Sequence, residues 1–170
     1  GDSVLIQSPV YYPFKEVIED NGRVAVSNDL VRLDEGRYVM DIDDFEKKII
    51  ENDIHLFFLC SPHNPVGRVW TLDELEAVGD ICVKHNVIIV SDEIHSDFVF
   101  KGEHHVLASL KKEYADRTIT CTAPSKTFNL AGLQISNLFI PNDSLRCRFK
   151  RELDAAGYSP VSYTHLTLPT

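Results

Sequence analysis

Short apolar runs recur along the chain between stretches of mixed character. Val4-Leu5-Ile6-Gln7, Leu56-Phe57-Phe58-Leu59 and Val87-Ile88-Ile89-Val90-Ser91 are too short for buried helices and have the unbroken hydrophobicity of strands covered on both faces. Residues 23–27, Thr118-Ile119-Thr120-Cys121-Thr122 and residues 135–140 add β-rich segments. The intervals have helical spacing. Residues 14–21 read as a helix closed by Asn21-Gly22, and Asp41-Ile42-Asp43-Asp44-Phe45 opens a short one running to Asn52. Thr71-Leu72-Asp73-Glu74 is a capping box, in which threonine and glutamate satisfy each other's backbone donors. Beyond it Leu72, Leu75, Val78, Cys82 and His85 mark one buried face of a helix to Asn86. Residues 108–114 and 143–156 read as two more helices, the second with a solvated, charged outer face. Alternating strand and helix predicts an α/β domain, a three-layer α/β/α arrangement about a mostly parallel sheet.

Composition narrows the class without naming a chemistry. A chain of 170 residues is long enough for one domain with a real core. The net charge of -9 argues against a nucleic-acid partner or an anionic membrane surface. No apolar run approaches the roughly 18 residues that span a bilayer. Cys60, Cys82, Cys121 and Cys147 fall inside predicted strands and helices without metal-like pairing, so they read as reduced core residues of a cytoplasmic protein. His104-His105 beside Glu103 reads as surface loop, because adjacent histidines point apart on a strand or a helix.

The candidate chemistry lies where strands end. Ser125-Lys126-Thr127-Phe128-Asn129 puts a lysine in a loop between two β-rich runs, where an amine with its charge lowered by partial burial suits imine formation with a carbonyl cofactor; a solvated loop lysine is the plain alternative. Pyridoxal phosphate chemistry also needs a carboxylate opposite the pyridine nitrogen, a donor at the phenolic oxygen and a flat group against the ring. Asp92 ends a buried-type strand, the place where ligands of open α/β sheets gather, although a turn or cap role fits its position equally. It belongs to the crowded stretch Asp92-Glu93-Ile94-His95-Ser96-Asp97, whose like charges call for a cation nearby. His95 is within reach of the same ligand. Asn64, held in the Cys60-Ser61-Pro62-His63-Asn64-Pro65-Val66-Gly67 loop, offers a donor, or else forms an ordinary Asn-Pro turn. Tyr11 is the stacking candidate, with Tyr12 beside it keeping that choice open.

These blocks, Ser8 to Phe14, Cys60 to Gly67, Ser91 to His95 and Ala123 to Asn137, resemble in order and spacing the class I/II pyridoxal phosphate enzymes of fold-type I. Within that superfamily they look most like the carbon-sulfur lyases of the MalY/PatB type, also labelled cystathionine β-lyases. The resemblance implies the large domain of a pyridoxal 5'-phosphate transferase fold, with Lys126 as the imine lysine and Asp92 as partner of the pyridine nitrogen. Asn64 would bond the phenolic oxygen, Tyr11 would stack on the ring, and Ser125 with Thr122 would help hold the phosphate. His95 stands where many aminotransferases of this fold have a tyrosine, which points to the lyase subgroup, as does Trp70. Gln134 stands where aspartate aminotransferase-like enzymes have a phosphate-binding arginine, shifting that load onto backbone donors and hydroxyls.

The implied activity is cleavage of cystathionine or cysteine S-conjugates to a thiol, pyruvate and ammonia, with an amino-acid substrate and a homodimeric intact protein. Amino-group transfer to a keto acid is the first alternative and a catalytically silent, truncated domain the second. By the same resemblance, residues 1–157 form a partial large domain, without the preceding phosphate loop or the small domain that grips the substrate carboxylate. Residues 158–170 lose family likeness and read as a translated adaptor scar or a linker.

Overall fold

A computed structural model describes residues 3–157. In chain order it comprises β1 (Ser3–Ile6), α1 (Pro13–Asp20), β2 (Val24–Ser27), β3 (Val31–Arg32), β4 (Tyr38–Val39), α2 (Ile42–Glu51), β5 (Leu56–Cys60) and α3 (Leu72–Lys84). There follow β6 (Ile88–Asp92), α4 (Leu107–Leu110), α5 (Lys112–Ala115), β7 (Thr118–Thr122), α6 (Pro124–Thr127), a 3-10 turn (Ala131–Leu133), β8 (Asn137–Phe139) and α7 (Asp143–Ala155). The main sheet runs β2-β1-β5-β6-β7-β8. All its pairs are parallel except β7 with β8. This is the α/β class that the strand and helix alternation predicts.

The buried runs pack as their composition requires. Leu5, Phe57, Leu59 and Ile89 face Phe45, Leu75, Val78, Cys82, Leu107 and Tyr114, the larger core, on the side covered by α2, α3, α4 and α5. Val4 and Ile6 face Ile18 of α1 on the other side, with Phe14 and Phe58 packed edge to face at 5.7 Å. The capping box forms: Thr71 accepts from the Glu74 N–H at 3.3 Å, and Glu74 accepts from the Thr71 N–H at 2.9 Å. Asp41 caps α2 by accepting from the Asp44 N–H at 2.9 Å.

Several local expectations change. The segment expected as a helix over 108–114 is two single turns, because Lys111 between them is extended (φ -143, ψ 148). The strand expected over 135–140 shortens to β8, since Gln134 takes a left-handed conformation and delays its start. The β3–β4 hairpin was not anticipated; its strands are too short for periodicity to register. Leu72 is exposed and His85 caps the end of α3, so the buried face of that helix is Leu75, Val78, Gly79 and Cys82. Of the four cysteines, Cys60 and Cys82 are core residues, Cys121 is half-buried and Cys147 lies exposed on α7, which has no buried residue. The expected tail, 158–170, lies outside the described residues.

Candidate active site

The carboxyl ends of β5, β6 and β7 are level, with Cys60, Asp92 and Cys121 in register across the three strands. Side chains alternate along a strand, so Ser91 and Glu93 are buried on one side while Asp92 faces a cavity on the other. That cavity, of about 350 Å3, is lined by Tyr11, Asn64, Asp92, His95, Ser125 and Lys126, and closed at one edge by Gln134, Ile135 and Ser136. Six of the seven predicted site residues therefore converge. Thr122 lies on the wall of an adjoining apolar cavity of about 350 Å3, shared with Phe14, Phe58 and Cys121 and bordered by Tyr11 and Asp92.

The loops after β1 and β5 are tied to each other. The Tyr11 N–H donates to the Asn64 carbonyl at 2.9 Å. Tyr11 lines both cavities while Tyr12, 68% exposed, occupies the N-cap of α1, which decides between the two rings as cavity walls. The Asn64 N–H donates to the Cys60 sulfur at 3.4 Å, and the Gly67 N–H closes the turn onto the His63 carbonyl at 2.8 Å. His63 is buried, with Nε2 3.0 Å from the Pro9 carbonyl and its ring edge-on to Trp70 at 5.4 Å. Trp70 donates to the Cys60 carbonyl at 2.9 Å and carries the Arg68 guanidinium 4.7 Å above its ring. Arg68 in turn forks onto Glu74 at 2.6 and 2.8 Å and bonds the Tyr38 carbonyl. Trp70 and His63 thus support the Asn64 loop from below.

The acidic crowd after β6 resolves into three separate roles. Asp92 accepts from the Ile94 N–H at 3.1 Å. Burial pushes its carboxyl pKa up, and neither that bond nor the charges of His95 and Lys126 offset the burial fully. Glu93 is buried on the opposite face, accepting from the Ser91 hydroxyl at 2.9 Å and lying 2.9 Å from His104 Nε2. Asp97 is exposed and accepts from the Thr127 hydroxyl at 2.6 Å. His104, expected in a surface loop, is instead nine-tenths buried, because Glu93 needs a donor there. Sequence reading missed Glu93, His63 and His104 as site supports; Glu93 and His63 stand beside Asp92 and Asn64 inside the strand-end blocks, whereas His104 lies far from any block and carried no signal.

Two thiols flank Asp92. Burial raises Cys60 and Cys121 to about 12 each, with the Asp92 charge acting in the same direction, so both stay protonated. Lys126 sits in α6, a single turn with Pro124 at its first position, rather than in an open loop. It is exposed instead of partly buried, although α6 packs beside the 3-10 turn.

Residues 1–164 match the sequence model of a family described as aminotransferase class I and II. The chain belongs to that family. Among its relatives, cystathionine beta-lyase PatB of Bacillus subtilis (strain 168) is 46% identical over 158 residues, covering 92% of this chain and 41% of that protein. Aspartate aminotransferase of Geobacillus stearothermophilus is 30% identical over 167 residues, covering 98% of this chain and 41% of that protein. The crystal structure of cystalysin from Treponema denticola, which contains pyridoxal 5'-phosphate, superposes with a TM-score of 0.88 at 46% identity, covering 91% of this chain and 39% of that one. The chain thus spans about two fifths of the length of the family members it matches.

Proposed function

We propose that this chain forms the cofactor-binding part of a pyridoxal 5'-phosphate-dependent carbon-sulfur β-lyase that acts on cystathionine or cysteine S-conjugates, giving a thiol, pyruvate and ammonia. The observation that carries the reading is the convergence of Tyr11, Asn64, Asp92, His95, Ser125 and Lys126 on one cavity. Its volume falls in the range of small-molecule sites. The donor set also fits the cofactor: Asp92 is a carboxylate whose burial is incompletely offset by its neighbours, and a protonated ring nitrogen is the cation that would complete it.

Bound there, pyridoxal phosphate supplies a carbonyl carbon for covalent attachment and a ring that takes up negative charge from the substrate Cα. Lys126 Nζ would be the amine for that attachment and, once the substrate amine has displaced it, would be free to serve as the base for the Cα proton. Asp92 would keep the proton on the ring nitrogen. The Asn64 amide and His95 would serve the phenolic oxygen, and Tyr11 would stack on the ring. Ser125, with Thr122 on the adjoining wall, would help hold the phosphate.

The 46% identity to a cystathionine beta-lyase and His95 at the cavity support the lyase over the transferase. Amino-group transfer is the second reading, supported by the 30% identity to an aspartate aminotransferase over nearly the whole chain. Incubating the intact protein with cystathionine, with no keto acid present, tests both. Pyruvate release is expected; turnover that requires a keto acid would favour the transferase, and none at all a silent domain.

Three further parts belong to this proposal. Residues 1–157 act as the cofactor-binding unit. The protein is cytoplasmic, which its unpaired cysteines support. The intact protein is a homodimer, which the exposed rings of Tyr12 and Phe100 support as surface for a second subunit. Among the described residues no helix is long and apolar enough to cross a membrane.

A further inference from the structure

One buried ionisable pair lies outside the cavity and next to it. Glu93 follows Asp92 directly and is 1% exposed. Both its oxygens are engaged, Oε1 by the Ser91 hydroxyl and Oε2 by His104 Nε2, each at 2.9 Å. His104 Nδ1 is buried without a partner. A pair of this kind adds little net stability, because desolvation offsets the attraction, but it defines geometry sharply.

The segment between Glu93 and His104 builds one wall of the site. Its Ile94 N–H donates to Asp92 Oδ1 at 3.1 Å, and its His95 lines the cavity. Midway, Asp97 accepts from Thr127 at 2.6 Å, next to Lys126. The Glu93 N–H donates to the Cys121 carbonyl at 2.8 Å, fixing the peptide that follows Asp92 against β7. The segment is therefore pinned at both ends by one carboxylate–imidazole contact and in the middle by the turn that bears Lys126. Leu107, three residues past His104, anchors the chain in the larger core, and the pair fixes the stretch before it, so without the pair the Ile94 donor and the His95 ring would shift together.

We infer that Glu93 and His104 are positioning residues for Asp92 and His95, acting from the reverse face of β6 by closing the 93–104 segment. The inference rests on the reading of Asp92 as the partner of the cofactor ring nitrogen.

The test uses the intact, cofactor-loaded protein and four variants: Glu93→Gln, His104→Ala, His104→Gln and, as a control on the site itself, Asp92→Asn. Glu93→Gln keeps the shape and the Ser91 bond but removes the charge. In Glu93→Gln and His104→Ala, kcat should fall by about 10- to 100-fold, the scale of loss seen when a group that orients a metal ligand is removed. KM for cystathionine should stay near the parent value. Cofactor affinity should drop, and the midpoint of the pH titration of cofactor absorbance should move. His104→Gln, whose amide can still donate to Glu93, should recover most of the lost kcat. Parent-like kcat, cofactor affinity and absorbance titration in folded Glu93→Gln and His104→Ala would overturn the inference. So would losses that track melting temperature alone without rescue by His104→Gln, or absence of folded protein from all three pair variants. A silent Asp92→Asn would overturn the site reading as well; a strong Asp92→Asn effect beside silent pair variants would overturn the pair only.

Discussion

The Tyr11 N–H donates to the Asn64 carbonyl at 2.9 Å, and one layer deeper the His63 ring repeats the link, bonding the Pro9 carbonyl at 3.0 Å. Two loops far apart in sequence thereby become one wall of the cavity, and a ring face and an amide are set relative to each other before any ligand arrives. Preorganisation of this kind is where positioning in catalysis originates.

The His63 contact makes the wall sensitive to acid. A carbonyl can only accept, so Nε2 carries the proton, Nδ1 is left bare and buried, and burial holds the ring below its ordinary value of 6.5. Below pH 6.5 the unfolded chain binds a proton at this residue that the folded chain refuses, so stability complete above that value falls as the pH drops toward the folded pKa. The slope from this one group is at most about 1.4 kcal/mol per pH unit. Denaturant melts of the intact protein at pH 7.5 and pH 5.5 should show a larger loss for the parent than for His63→Asn. Equal losses in the two would mean that other histidines carry the acid response.

Much of this architecture was legible because burial writes itself into composition. Phe57, Leu59 and Ile89 are buried on one face while Phe58, Ile88 and Val90 are half-buried on the other, and strands with apolar residues on both faces read as continuous apolar runs. The capping box at Thr71 and Glu74 is a local device with a local signature. Asp92, Asn64 and Lys126 were legible because the sheet topology puts strand ends, and so the residues after them, around one opening. What was hidden depends on tertiary partners. Whether Glu93 is a surface acid or a buried anchor turns on His104, and nothing in the Asp92 to Asp97 stretch shows that partner. The exposure of Lys126 likewise depends on tertiary packing around α6, which the motif around it does not encode.

Gly79 shows how tightly α3 meets α5. A Cβ placed there would lie 2.6 Å from Cζ of Tyr114, whose ring is fully buried. The ring cannot withdraw easily, because its hydroxyl bonds Asp80 at 2.6 Å and the Glu76 carbonyl at 3.1 Å. Gly79→Ala should therefore cost about 1–3 kcal/mol through overpacking, outweighing the roughly 1 kcal/mol that alanine gains in a helix. In a Tyr114→Leu background the same change should become neutral or favourable. Equilibrium unfolding of the four proteins checks this, and a stabilising Gly79→Ala in the parent would contradict the contact.

Lys126 should be the residue that carries the cofactor covalently. Borohydride treatment of the loaded intact protein, followed by peptide mapping, should find the adduct on the peptide containing Lys126. Lys126→Ala should remove the adduct and lower turnover by roughly three or more orders of magnitude, the scale of losing a covalent catalytic group. An adduct on any other lysine would sink the assignment.

Asp92 should act in opposite directions with and without the cofactor. Burial raises its carboxyl above the ordinary 3.8. At pH below 3.8 both folded and unfolded chains hold the proton, and the residue costs nothing. As the pH rises through that value toward the folded pKa, the unfolded chain releases the proton first, so stability declines, and above the folded pKa the cofactor-free fold bears the whole cost of an ionised, half-buried carboxylate. Asp92→Asn removes that cost and should leave the cofactor-free protein at least as stable as the parent at pH 7. With cofactor bound the order should reverse, because losing a charge-assisted hydrogen bond of about 1.5–3 kcal/mol weakens cofactor binding by roughly 10- to 100-fold. Thermal melts at pH 7 with and without pyridoxal 5'-phosphate, together with a cofactor titration, separate the two effects. A variant that is weaker than the parent without cofactor and equal to it with cofactor would show that Asp92 serves the turn at Ile94 and not the ring nitrogen.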